Sequence, residues 1–142
     1  MRVIIGYGNT LRGEDGFGVA VVRALREKKL HNTKLLEVFQ LTPELVLELL
    51  DAEEILFIDA AYSPKDLYVF ASPLQRGDGL DLSHHIAPTV IIESLKTLYN
   101  KEVRFEIFSL LCGNFEEIKN KESYIQRVES LADFLSKESS LA

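Results

Sequence analysis

Ile55-Leu56-Phe57-Ile58 is an unbroken apolar run that closes on an acid, Asp59. A strand with one face in water alternates apolar and polar residues, so a continuous run marks a strand covered on both faces, the pattern of a parallel sheet. Such a strand needs helices above and below it. The rest of the chain supplies them, because short apolar runs alternate with stretches of helical periodicity.

Residues 3–7 form a β-branched and aromatic run that enters the glycine-rich loop GNTLRGEDG. A helix is expected over residues 16–28, where Phe17, Val21, Val22 and Leu25 recur at helical spacing and Arg23, Glu27 and Lys28 fall opposite. A second strand is expected over residues 35–39. Thr42-Pro43-Glu44 then gives a hydroxyl N-cap, a proline at the first helical position and an acid at the positive dipole end, predicting a helix to residue 50.

The central strand follows and is expected to end on Asp59. A fourth strand over residues 67–71 reads as nearer an edge, and residues 73–81 read as loop. His84 and His85 come next, Pro88 opens a helix to about residue 99, and residues 103–111 form the last strand. A final helix places Ile125, Val128, Leu131, Ala132 and Leu135 on one face, with the tail KESSLA expected to fray. This order predicts a three-layer α/β fold, a mostly parallel twisted sheet of about five strands with helices on both faces. The length, 142 residues, suits one domain over residues 1–142.

Composition narrows the function classes. Hydrophobic residues make up 46% and charged residues 27%, the profile of a packed protein and not of a disordered one. The formal net charge is −6 and the lysines and arginines form no stripe, so a nucleic-acid partner is not expected. Cys112 is the sole cysteine, which excludes an internal disulfide and a zinc site built on several thiolates. The start, MRVIIGYGNT, lacks the apolar core of a signal peptide, and no stretch approaches the roughly 20 apolar residues that span a bilayer. A cytoplasmic protein without a membrane partner is the expectation.

Open α/β sheets bind ligands outside the carboxyl ends of their strands. Three polar candidates fall there: Glu14-Asp15 after the first strand, Asp59 at the third, and His84-His85 after the fourth. Two carboxylates and an imidazole suit a divalent first-row ion such as nickel or zinc and leave positions for outside ligands. Each residue also has a plainer reading. Asp15 stands where a helix N-cap would, Glu14 reads as solvated, and His85 can be satisfied by backbone. Asp59 is costly where it stands unless paired, hydrogen-bonded or metal-bound. His31 reads as a surface residue and Cys112 as an inert buried thiol.

Gly6-x-Gly8 tempts a dinucleotide reading, but the third glycine position is Leu11, and the second strand ends at Gln40 without a ribose-binding acid. No Walker-A lysine, nucleophile elbow or HExxH is present.

The segment IGYGNTLRGEDGFGVAVVRAL resembles the N-terminal signature of the nickel–iron hydrogenase maturation endopeptidases, ILFIDAA resembles their second motif and SHHIAP their third. The likeness runs over nearly the whole chain. It implies metal ligands at Asp15, Asp59 and His85, and a substrate-facing loop at Gly8 and Asn9. It also implies an activity, removal of a C-terminal extension from a hydrogenase large-subunit precursor once nickel is inserted. The nickel belongs to the substrate, so no permanently bound cofactor is expected, although other divalent ions can occupy the site. The likeness assigns no nucleophile or general base. Gln40-Leu41-Thr42-Pro43-Glu44 departs from the acid-glycine-threonine element of many members, and LLCGNFEE departs from their proline and acid after the last strand. A nucleotide-binding regulatory module is the alternative. A peptidyl-tRNA hydrolase-like enzyme is weaker, because no Pro-Gly follows Asn9 and the net charge is acidic.

Overall fold

The computed structural model describes residues 1–11, 13–62, 69–71, 87–112 and 121–141. Strand β1 spans Arg2–Tyr7, a 3-10 turn covers Gly13–Gly16, helix α1 spans Phe17–Arg26 and strand β2 spans Thr33–Val38. A 3-10 helix over Pro43–Leu49 precedes β3, Glu54–Tyr62, and β4, Val69–Ala71. Helix α2, Pro88–Tyr99, strand β5, Arg104–Cys112, and helix α3, Lys121–Leu141, complete the order.

The five strands form one sheet in the order β2-β1-β3-β5-β4. The first four in that order are mutually parallel, and β4 pairs antiparallel with β5 at the edge. Only residues 63–68 lie between β3 and β4. A parallel crossover takes a dozen residues or more, and this link is too short to bring β4 back into the direction of β3. This is the mostly parallel sheet that the sequence predicts.

Pleating sorts the apolar run between two cores. Leu56 and Ile58, with Ile4 and Leu110, pack under α1 and α3. Ile55 and Phe57, with Val3, Ile5 and Ile107, pack under the 3-10 helix and α2. Both faces of the central strand are therefore dry, which is why its residues need no polar alternation. Helix α1 is locked to α3 by Phe17 and Tyr124, whose rings meet edge to face at 6.0 Å.

Glycine sets how closely α1 lies on the sheet. A Cβ on Gly6 would stand 2.1 Å from the Gly18 carbonyl oxygen, and one on Gly18 would stand 2.0 Å from the Ile58 carbonyl oxygen. Backbone thus meets backbone where α1 crosses β1 and β3, and the N-terminal turn of α1 is drawn onto the strand ends.

Three expectations are corrected. The segment after Pro43 is a 3-10 helix, closed by i to i+3 bonds such as Leu45 N–H to the Thr42 carbonyl at 3.1 Å, and the Thr42 side chain makes no cap bond. Helix α1 is shorter than residues 16–28, since Gly16 belongs to the preceding 3-10 turn and the helix ends at Arg26. Strand β3 also runs past Asp59 to Tyr62. What stops near Asp59 is pairing with β1, whose last partner pair is Gly6 with Ile58, because β1 turns away at Gly8.

Candidate functional site

The register of the sheet builds the site. Ile5 is paired with Phe57, and Phe57 with Ile107, forming an apolar rung across β1, β3 and β5. One pleat repeat further on, Asp59 is paired with Ser109, and Tyr7 occupies the matching place at the end of β1. Side chains two residues apart along a strand share a face. Tyr7, Asp59 and Ser109 therefore form a polar rung on the same face as the apolar one, at the carboxyl edge of the sheet.

Asp59 is 4% exposed and Ser109 is fully buried. A buried carboxylate must find donors. The Ser109 hydroxyl donates to Asp59 Oδ1, and the Tyr7 hydroxyl donates to Asp59 Oδ2. Of the plain readings of Asp59, hydrogen bonding is the one the geometry supplies. Sequence reasoning missed both hydroxyls. A serine interrupting the apolar strand β5 was a usable signal, but its partner is set by strand register, which neighbouring residues do not encode.

Asp15 reaches the end of β1 through the turn at Gly8. Gly8 has a φ of 144°, a backbone conformation that favours glycine, and a Cβ there would lie 2.0 Å from the Asp15 carbonyl oxygen. The Gly8 N–H donates to the Val38 carbonyl at 3.2 Å, which keeps the turn tied to β2. The Asn9 N–H donates to Asp15 Oδ2 at 3.0 Å, and Asn9 Oδ1 accepts from the Leu11 N–H at 2.9 Å. The loop is thus folded back on itself with the Asp15 carboxylate at its centre. Helix capping is not what Asp15 does: the N-cap of α1 is Gly16, without a side-chain cap bond.

Tyr7 and Gly8 are consecutive, so one carboxylate is held by Tyr7 and the other lies against Gly8. The 3-10 turn carrying Asp15 also packs on β3, the strand of Asp59. Asp15 and Asp59 therefore share one rim. His84 and His85 lie outside the described residues, as does the side chain of Glu14, and Cys112 is placed only as the last residue of β5. Among the described residues no three of His, Cys, Asp and Glu cluster as a complete metal set. His31 is exposed at a turn remote in sequence from the rim, its carbonyl accepting from the Thr33 hydroxyl at 2.9 Å.

The fold and its rim define an open α/β protein whose polar residues gather beyond the carboxyl ends of parallel strands. More particularly, this is the architecture of the nickel–iron hydrogenase maturation proteases. The maturation protease HycI of Thermococcus kodakarensis superposes with a TM-score of 0.73 at 24% identity, over 96% of this chain and 90% of that one. HybD of the same organism, also a hydrogenase maturation protease, gives 0.61 at 25% identity over 95% and 98%. The hydrogenase maturating endopeptidase HybD of E. coli gives 0.68 at 15% identity over 96% and 93%. No family model and no curated protein matches the sequence. The likeness drawn from three short motifs is thus borne out by the fold.

Proposed function

We propose that this chain is an endopeptidase that removes the C-terminal extension of a nickel-loaded hydrogenase large-subunit precursor, and that it recognises the substrate's nickel through Asp15, Asp59 and His85. What supports this reading is that Tyr7, which donates to Asp59, is followed directly by Gly8, which packs against Asp15, in a chain that shares the fold of the maturation proteases over nearly its full length.

Two carboxylates and one imidazole leave a first-row ion short of ligands. An ion already carried by the precursor supplies the remainder, so a complete coordination shell forms only when the precursor is loaded. Differential affinity for the loaded form is what makes cleavage conditional on nickel. Gly8 and Asn9 belong to this reading as the loop that borders the substrate while holding the Asp15 carboxylate in place. A bound ion would also supply Lewis acidity toward a scissile carbonyl or a water.

The nucleotide-binding alternative is weakened by the loop itself. An anion site after β1 would use free backbone N–H groups, yet the Asn9 N–H is engaged by the protein's own carboxylate at Asp15. The discriminating experiment incubates the chain with nickel-loaded and with nickel-free precursor and weighs the products. Cleavage of the loaded form alone is expected; equal cleavage of both, or of neither, contradicts the proposal.

A further inference from the structure

Asp59 presents an uncommon arrangement for a residue expected to meet an ion carried by another protein. Both of its oxygens already accept hydroxyl hydrogen bonds, one from each neighbouring strand. The two donors differ in depth. Ser109 is fully buried and takes Oδ1 from the core side, whereas Tyr7 is half-buried at the end of β1 and takes Oδ2. All three residues occupy one rung of a continuous sheet, so neither hydroxyl can shift along its strand without breaking the register that Ile5, Phe57 and Ile107 enforce.

We propose that Tyr7 and Ser109 are positioning residues, a pair of hydroxyls that fixes the Asp59 carboxylate in the orientation in which it meets the substrate's ion. This rests on the reading of Asp59 as a ligand. A carboxylate oxygen accepts two hydrogen bonds or ligand contacts, so a hydroxyl bond to each oxygen of Asp59 does not by itself exclude an ion. A free aspartate rotates about its last bond and spends part of its time with its lone pairs aimed away from the ion. With an anchor on either side, the two strands hold the plane of the carboxylate and no orientational freedom is lost when the ion arrives. Partners of this kind behind a metal ligand typically change metal affinity by about 10–100-fold when removed.

The test measures binding of nickel(II) alone, with zinc(II) as a second probe, by calorimetry on the full chain and on Tyr7→Phe, Ser109→Ala, Ser109→Thr and Asp59→Asn. Tyr7→Phe and Ser109→Ala are each expected to weaken binding by about 10-fold or more, with Ser109→Thr recovering most of the loss because it restores the hydroxyl. The KM for nickel-loaded precursor is expected to rise with Tyr7→Phe by a similar factor at unchanged melting temperature, a pattern that a purely structural role would not give. Tyr7 is only half-buried, so Tyr7→Phe decides the matter if Ser109→Ala does not fold. Native binding and native KM in Tyr7→Phe and Ser109→Ala, alongside lost binding in Asp59→Asn, overturn the positioning role and leave the ligand reading standing. Native binding and processing in Asp59→Asn overturn the ligand reading itself.

Discussion

At Asp59 the needs of folding and of the proposed function coincide. Its carboxylate is almost wholly removed from water and has two hydroxyl donors, so the cost of burial is met by the same contacts that fix its direction. Asp59→Asn keeps an acceptor oxygen and nearly the same shape. We expect it to fold with a melting temperature within a few degrees of the native chain and to lose precursor processing, as Asp15→Asn and His85→Gln also should; thermal unfolding beside the cleavage assay checks both halves. Glu37, on β2, is a contrasting case, a carboxylate held by two arginines. The Arg26 side chain donates to it at 2.7 Å and Arg23 at 2.9 Å, and these bonds, the Arg26 one foremost, hold its carboxyl below the ordinary carboxylate range against the opposing effect of burial. A depressed value in the folded state means stability that is present above the unfolded value and is lost as pH falls through the folded one. Glu37→Gln is therefore expected to cost less than about 1 kcal/mol near neutral pH, since these pairs are largely solvent-facing. Urea titrations should show the difference disappearing in acid; a difference that grows in acid would contradict the assignment.

Among the elements, α1 and its leading turn depend most on small residues. Alanine within a helix normally stabilises relative to glycine by about 1 kcal/mol. At Gly18 the sign should reverse, because the added Cβ would stand 2.0 Å from the Ile58 carbonyl oxygen and 2.9 Å from the Tyr7 nitrogen. Overpacking against backbone that cannot move aside costs about 1–3 kcal/mol or more. Gly18→Ala should thus lose at least about 2 kcal/mol in denaturant titration, and a stabilised variant would contradict this close seating of α1 on the sheet. Most elements were legible because local patterns dictate them: the Ile55–Ile58 run required a doubly covered strand, and the spacing of Val21, Val22 and Leu25 required a helix. Geometry at the ends of elements was not legible. Whether the segment after Pro43 winds as an α-helix or a 3-10 helix, and whether β3 stops at Asp59 or continues to Tyr62, depends on tertiary neighbours and not on its own residues.

Over the whole molecule, parallel strands do what their topology requires and bring their carboxyl ends to one rim. That rule directed attention to Asp15 and Asp59 as candidates for a common edge, because it needs only the order of elements. It could not deliver Tyr7 and Ser109, whose contacts with Asp59 join residues 52 and 50 positions apart and exist only once β1, β3 and β5 are in register. Among the described residues no helix is long and apolar enough to cross a membrane.

The proposed function requires that the rim close around one ion. Crystals of the full chain soaked in cadmium or zinc, with anomalous data collected at the metal's absorption edge, test this most directly. A single strong peak within ligand distance, about 2.0–2.3 Å, of Asp15, Asp59 and His85 is the predicted result. Peaks elsewhere, with positions 15, 59 and 85 too far apart to share an ion, would contradict it.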